Sequence, residues 1–374
     1  MKEFTNCNFY LLLLVLSAIT MQGTSSNTSV KKDKCYVLAL EGGGDKGAYQ
    51  SGVLKGLVDS VSSEDIQWDV ITGVSVGSID AIAIATFETG KEIEATDFLI
   101  ETWRDIKGKG DIYKNWWGRS IQGLFFETGL YDTAPLKSKL SSIIQNRELK
   151  RKFICGATNY FTGEFETFDE TTLLKDELVD AVASSASYPV VFPLVNFRGN
   201  VYMDGGVRIN IDISSGINKC LDMGYEDKAI VVDLVLLSSS NMSKPPKKTH
   251  TIGVLSRYLE ISGYDRTMGN MEFTTMSFPH VNFRYVVAPT TELPSGLIPL
   301  TFSPEEIEEM IEMGMTDAKN VVKEGARINL DRLLRNFQDQ RNFTLGRRER
   351  RPIINDLGEE VEEIKKKKLD FLNF

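Results

Sequence analysis

The stretch Cys-Tyr-Val-Leu-Ala-Leu-Glu-Gly-Gly-Gly-Asp-Lys-Gly, residues 35–47, decides the fold class of this chain. Its apolar first half predicts a strand that is buried on both faces, as in a parallel sheet. Three consecutive glycines at the end of such a strand leave backbone amides open to a ligand. Apolar residues at helical spacing over 48–61 complete a strand–loop–helix unit.

The same alternation of strands and helices continues along the chain. Apolar, β-rich runs predict strands at 69–72, 152–158 and 229–237, and residues 160–168 predict a hairpin connection. Helical spacing predicts helices between these strands. We therefore expect an α/β fold with a mostly parallel central sheet and helices on both faces.

The serine of the pentapeptide Gly-Val-Ser-Val-Gly, residues 73–77, is the candidate nucleophile. The motif follows a predicted strand and precedes a predicted helix, which is the context of a nucleophile elbow. Gly73 and Gly77 suit the sharp turn, because a Cβ at either position would collide with the neighbouring strand or helix. The helix N-terminus beneath Ser75 favours developing negative charge.

The glycine run also fits a second kind of site. Gly42, Gly44 and Gly47 match the dinucleotide pattern G-x-G-x-x-G, but no acidic residue about 20 positions further on ends a clear second strand. Since the serine motif comes next, we interpret residues 42–44 as an oxyanion-binding loop. The charge of Lys46 suits a developing oxyanion.

A third motif, Asp204-Gly205-Gly206, ends a strand-like run over 200–203. Most Asp-Gly pairs are simply turns. An aspartate at the carboxyl end of a strand, however, lies where catalysis tends to occur in open α/β sheets. Together with the serine and the glycine loop, Asp204 predicts acyl transfer from an ester to water.

The chain contains only two histidines, His250 and His280. A triad in the order Ser75, Asp204 and then either histidine is compatible with α/β hydrolases, so a Ser–His–Asp esterase stays open as an alternative. Neither histidine has glycine-rich or acidic neighbours, and we expect each to be a bystander.

These motifs resemble the patatin-like phospholipase family, whose pattern is a strand, a G-G-G-x-[KR]-G loop, a G-x-S-x-G elbow and a D-G-[GA] triplet. The stretch over 183–193 resembles the family's A-S-x-A-x-P-x-x-F-P segment, and the resemblance spans about Val37 to Leu237. Asp212 stands where the family often has proline. The resemblance implies a patatin-like three-layer sandwich and catalytic domain over 37–237.

The resemblance also implies a Ser–Asp dyad that works without histidine. Ser75 would attack the ester carbonyl, and Asp204 would accept its proton and later activate water. Backbone amides around Gly43 and Gly44 would hold the oxyanion. The implied activity is that of a phospholipase A-like or lysophospholipase-like lipid acyl hydrolase, with a lipid substrate, no cofactor, no metal and transient contact with a membrane or micelle surface.

Aromatic residues crowd the segment 113–131, and core packing is favoured slightly over a lid or acyl-chain pocket. A catalytically silent lipid-binding or storage protein on the same fold is a further alternative. The formal net charge of −9 argues against a nucleic-acid partner.

The ends of the chain differ in composition from the rest. Lys2 and a short apolar run over 9–19 predict a secretory signal peptide over 1–25, and therefore a secreted or secretory-pathway protein. We expect a C-terminal α/β extension packed on the catalytic domain at 238–346 and a charged tail at 347–374. Without Cys7, three cysteines remain, which allows one disulfide and one free thiol.

Overall fold

The computed structural model describes residues 32–118, 122–123, 125–144, 147–239, 251–294 and 300–344. The predicted signal peptide, the predicted charged tail and His250 lie outside these residues. In the described part of the chain, no helix is both long and apolar enough to cross a membrane.

The main sheet is mixed and mostly parallel. Its strands are β1 (Cys35–Leu40), β2 (Val70–Val74), β5 (Lys152–Asn159), β6 (Phe165–Asp169), β7 (Val195–Phe197), β8 (Asn200–Asp204), β9 (Ile230–Val235) and β10 (Asn282–Val287). Their order is β10-β9-β1-β2-β5-β8-β7, with β6 paired to β5. The first five strands of that order are parallel, and the β5–β6, β5–β8 and β7–β8 pairs are antiparallel. A separate short ribbon joins β3 (Lys114–Asn115) and β4 (Tyr131–Asp132).

Helices cover both faces of the sheet. They are α1 (Gly47–Ser60), α2 (Val76–Ala85), α3 (Glu92–Arg104), α4 (Ala134–Ile144), α5 (Leu178–Ser185), α6 (Ser214–Asp222), α7 (Thr251–Ser277), α8 (Pro304–Glu324) and α9 (Ile328–Thr344). Alternate residues of β1 enter two separate cores. One core contains apolar side chains of α1 to α5 and α8, and the other those of α6, α7 and α9. The predicted α/β class, with helices on both faces of a mostly parallel sheet, is confirmed.

The residues after β9 extend this sheet and its core. Strand β10 pairs in parallel with β9, and α8 packs directly on α1. The contact is between backbones, because a Cβ at Gly52 would lie 2.1 Å from the carbonyl oxygen of Ile311, and one at Gly314 would lie 2.3 Å from that of Tyr49. Glycines therefore set the distance between the two helices.

One disulfide joins Cys35, at the start of β1, to Cys220 of α6, while Cys155 is a buried free thiol. This agrees with the expectation of one bridge and one unpaired cysteine. Both bridged residues are buried, so the bond lies inside the core between the sheet and α6.

Candidate active site

Ser75 lies at the junction of β2 and α2, in a backbone conformation that L-residues rarely adopt. Its φ is 55° and its ψ is −127°. A Cβ at Gly73 would lie 2.1 Å from the carbonyl oxygen of Gly77, and one at Gly77 would lie 2.5 Å from that of Leu40. A side chain at either position would block the sharp turn, so the predicted steric need for both glycines is confirmed.

Two strands bring Ser75 and Asp204 together along one edge of β5. Strand β6 pairs with residues 154–158 of β5, so β2 and β8 share the opposite edge. Strand β2 leaves that edge at the Val74–Gly156 pair, and β8 ends on it at the next pair, Asp204–Ala157. The carboxyl ends of two oppositely directed strands therefore meet at the serine. Asp204 lies at a strand end, as predicted from the sequence, whereas the antiparallel direction of β8 was not predicted.

The two side chains are in direct contact. The Ser75 hydroxyl donates a hydrogen bond of 2.6 Å to Oδ2 of Asp204, whose Oδ1 accepts the Gly206 amide at 2.7 Å. Burial raises the pKa of Asp204 to about 6, although the hydrogen bonds from Ser75 and Gly206 oppose this rise. A carboxylate with this pKa is a stronger base than an exposed aspartate. Gly205 is required here because a Cβ would lie 2.3 Å from the carbonyl oxygen of Gly156.

Ser185, the last residue of α5, holds the backbone of the serine turn. Its hydroxyl accepts the Ser75 amide at 2.9 Å and donates to the Gly156 carbonyl at 2.7 Å. Ser185 belongs to the 183–193 segment that carried part of the family resemblance, but its role was not predicted. The segment therefore ties α5 to both β5 and the nucleophile turn.

The glycine loop approaches Ser75 closely. A Cβ at Gly42 would lie 2.9 Å from the Cβ of Ser75. The Gly42 amide donates to the carbonyl of Asn210 at 2.9 Å, so this amide already has a partner. The amides of Gly43 and Gly44 form no hydrogen bond with the described residues, and Gly44 has a positive φ of 68°. Of the three predicted glycines, the last two have amides that a ligand can use.

Three further residues adjoin the serine or the glycine loop in the chain: Val76, Lys46 and Gly47. Val76 opens α2, and the first amides of a helix have no partner within it. Lys46 is half-buried and precedes α1. Gly47 follows it, and a Cβ there would lie 2.3 Å from the Trp103 ring and 2.5 Å from Val76. Close packing thus explains the glycine at 47.

Glu41, between β1 and the glycine loop, was not singled out from the sequence. Its side chain is fully buried, and its carboxylate accepts hydrogen bonds from Asn210, Leu237, Ser238 and Thr267. A glutamate beside glycines has no sequence signal of burial, because its partners come from distant parts of the chain.

His280 lies away from this site. It is exposed and precedes β10, at the edge where the parallel strands begin, whereas Ser75 follows the end of β2. A strand of five or six residues separates the two edges by about 15–20 Å. His280 is therefore too far from Ser75 to act as the base of a triad. The alternative with His250 lies outside the described residues.

Comparison with known proteins adds a family match. Residues 38–217 match the model of the patatin-like phospholipase family. A "cGAMP-activated phospholipase" of Pseudomonas aeruginosa is 31% identical over 183 residues, which are 46% of this chain and 52% of the relative. A protein of the same description from Escherichia coli is 27% identical over 234 residues, 55% of this chain and 64% of the relative.

A "probable lipid hydrolase" of Invertebrate iridescent virus 6 is 26% identical over 206 residues, 52% of this chain and 68% of the relative. The chain spans about half the length of the Pseudomonas relative and about two thirds of the other two. The matched part of the chain contains Ser75, Asp204 and the glycine loop.

Proposed function

We propose that this chain, whose residues 38–217 match the patatin-like phospholipase family, is a lipid acyl hydrolase that cleaves fatty-acyl esters with Ser75 and Asp204. The observation that carries this proposal is the 2.6 Å hydrogen bond from the Ser75 hydroxyl to the buried carboxylate of Asp204. A nucleophile in contact with its base is the arrangement that direct proton transfer requires.

Acylation begins when Ser75 Oγ attacks the ester carbonyl carbon while its proton passes to Oδ2 of Asp204. The carbonyl oxygen becomes an oxyanion within reach of the amides of Gly43, Gly44 and Val76, with Lys46 nearby in the chain. When the intermediate collapses, the C–O bond to the alcohol breaks and Asp204 returns the proton to the leaving alkoxide. An acyl group then remains on Ser75.

Deacylation repeats these steps with water. Asp204 accepts a proton from the water that attacks the acyl carbonyl, and the same amides receive the second oxyanion. The fatty acid leaves when the bond to Ser75 Oγ breaks, and the proton on Asp204 returns to Ser75. The pKa of about 6 keeps Asp204 ionised at neutral pH and yet basic enough to take part.

We also propose transient contact with a membrane or micelle surface. The aromatic segment 113–131 divides into two groups. Tyr113 is buried against Tyr131 and Phe192, whereas Trp117, Phe125 and Phe126 are exposed. The exposed rings are of the kind that enter a lipid interface, and the buried ones pack as core.

A secretory location is likewise a proposal. The bond between Cys35 and Cys220 supports it, because disulfides persist in oxidising compartments and are rare in the cytosol. The predicted N-terminal signal peptide is a second argument for it.

The test compares hydrolysis of a short-chain p-nitrophenyl ester and of a mixed-acyl phospholipid by the purified chain and its variants. We expect Ser75→Ala and Asp204→Asn to lose activity, and the double variant His250→Ala/His280→Ala to keep it. Loss in a folded double-histidine variant would move the assignment to a triad. If the unmodified chain hydrolyses neither substrate, a silent lipid-binding role replaces the proposal.

A further inference from the structure

The carboxylate of Glu41 accepts hydrogen bonds from three other parts of the chain. Oε2 accepts the amides of Leu237 at 2.5 Å and Ser238 at 2.9 Å. Oε1 accepts the hydroxyls of Ser238 at 2.8 Å and Thr267 at 2.5 Å, together with the Asn210 side-chain amide at 2.9 Å. These donors come from the segment after β9, from α7 and from the loop that follows Asp204.

Within the described residues no lysine or arginine forms an ion pair with this carboxylate, although the side chain is fully buried. Burial of a charge is costly unless its oxygens are hydrogen-bonded. Five donor groups supply those bonds, and all five belong to residues more than 160 positions away. The network therefore has a fixed geometry that any lost donor disturbs.

Asn210 extends the network to both halves of the proposed active site. Its side-chain amide also donates to the Gly42 carbonyl at 3.1 Å, and its backbone carbonyl accepts the Gly42 amide at 2.9 Å. Its Oδ1 packs so closely that a Cβ at Gly42 would lie 2.7 Å from it, and one at Gly206 would lie 2.6 Å from it. The glycine loop and the Asp204 loop thus rest against one side chain.

We propose that Glu41 is a positioning residue that orients the amides of Gly43 and Gly44 toward the oxyanion by anchoring the start of the glycine loop to α7, to residues 237–238 and to Asn210. This inference rests on the proposed function, since it assigns Glu41 a role in the same site. The residue touches no reacting atom. It acts through the backbone that immediately follows it.

Thr267 offers the sharpest test because it can be changed without altering Glu41. Thr267→Val removes one donor and keeps the side-chain shape, whereas Thr267→Ser keeps the hydroxyl. Thr274→Val is the matched control, since Thr274 is buried on the same helix and its hydroxyl bonds to Asn270 at 3.1 Å rather than to Glu41. Glu41→Gln, which replaces a pure acceptor by a group with its own N–H donors, is the stronger perturbation.

We expect kcat to fall about 10-fold in Thr267→Val and up to about 100-fold in Glu41→Gln, because small displacements of catalytic groups cost factors of this size. KM should stay within about twofold, since the loop contacts the transition state rather than the lipid chain. Thr267→Ser should restore most of kcat, and Thr274→Val should leave it unchanged.

Two long-chain probes distinguish misplaced oxyanion-binding amides from a general loss of structure at the site. A trifluoromethyl ketone adds to Ser75 Oγ and forms a hemiketal oxyanion, whereas the matching ether analogue only occupies the acyl site. Ketone affinity should fall in parallel with kcat, and ether affinity should not change. Equal loss of both probes, or full kcat in Thr267→Val and Glu41→Gln, would overturn the proposal.

The ketone measurement also keeps the two proposals distinguishable. If the unmodified chain hydrolyses no ester, the proposed function fails. Adduct formation followed by fluorine NMR still decides the role of Glu41, because the adduct needs only Ser75, Asp204 and the glycine-loop amides. An adduct equally stable in the unmodified chain, Thr267→Val and Glu41→Gln would exclude positioning of those amides by Glu41.

Discussion

The chemistry proposed for single residues depends on the ionisation of one buried carboxyl group. Asp204 must be ionised to accept the Ser75 proton, and its pKa is raised by burial to about 6. Desolvation disfavours the charged form, and the two hydrogen bonds to Asp204 only partly compensate. The group therefore titrates in a range where enzyme assays are practical.

We expect kcat/KM to rise with pH through about 6 and then to level off, because the base is protonated below that pH and ionised above it. The measurement is a pH profile with a soluble ester between about pH 4.5 and pH 8. A profile that is flat across this range, or one that falls as pH rises through 6, would contradict the assignment of Asp204 as the base.

The backbone of Ser75 gives a second prediction for a single residue. Its φ of 55° is unfavourable for any residue with a Cβ, whereas glycine adopts it freely. Ser75→Gly should be more stable than Ser75→Ala by about 1 kcal/mol or more, since strained backbone conformations cost about 1–3 kcal/mol each. Both variants lose the hydroxyl, so the difference between their denaturation midpoints reports the strain less the backbone entropy that glycine adds to the unfolded chain. Equal midpoints would contradict the prediction, because the strain would then be no larger than this entropy.

Among the elements, the hairpin of β5 and β6 reaches beyond the proposed site. Asp204 pairs with Ala157, and the turn carries Tyr160 and Phe161, three and four residues further along. At about 3.3 Å per residue the turn stands about 10–13 Å past Asp204 on the side where the parallel strands end. Phe161 is 74% exposed there.

We expect Phe161→Ser to reduce hydrolysis of phospholipid vesicles several-fold and to leave hydrolysis of a soluble short-chain ester unchanged, because the ring contributes only to interfacial binding. Phe273→Ser is the control. Phe273 is 69% exposed near the end of α7, which leads to the opposite edge of the sheet. The two variants should separate in a vesicle-binding assay, and equal behaviour would argue against the hairpin as a membrane contact.

Elements with local signals could be predicted from the sequence, and those that depend on distant contacts could not. Strand β1 coincides with the apolar first half of the stretch 35–47, because this run is bounded by Lys34 on one side and by Glu41 and the glycines on the other. The antiparallel direction of β8 has no local signal, since it follows from pairing with the last residues of β5. The three-residue strand β7 was missed for the same reason, since it is defined by its pairing with β8.

The residues of the candidate site likewise fall into those with a local sequence signal and those without one. Ser75, Asp204 and the glycines could be named because each occurs in a short motif with a steric or chemical reason. The Gly42 amide is hydrogen-bonded to Asn210, and Glu41 is buried. Both features depend on residues that only the folded chain brings together. Motifs therefore named the candidate reacting groups, and the structure was needed to find the contacts that surround them.

At the scale of the whole molecule, the disulfide joins the sheet to one of its helix layers. It links Cys35, at the start of β1, to Cys220 of α6. Cys35 and Cys220 are 185 residues apart, and bridges that close long loops restrict the unfolded chain strongly. The double variant Cys35→Ala/Cys220→Ala should lose about 2–5 kcal/mol in the free energy of unfolding. Urea denaturation measures this.

A reductant provides the control for that experiment. It should lower the stability of the unmodified chain and of Cys155→Ala, which keeps the bridge, and leave the double variant unaffected. A stability that does not respond to reductant in any form would show that the bridge does not form in solution.

The order of residues along the chain has a consequence for biosynthesis. Thr267 is added 192 residues after Ser75 (267 − 75). At a synthesis rate of about 5–20 residues per second, the nucleophile exists for about 10–40 s before the last anchor of the glycine loop has been made. During that interval the nascent chain carries its serine without the contacts that orient the loop. On the ribosome, the loop that would hold the oxyanion therefore stays without its full set of anchoring contacts until Thr267 has been added.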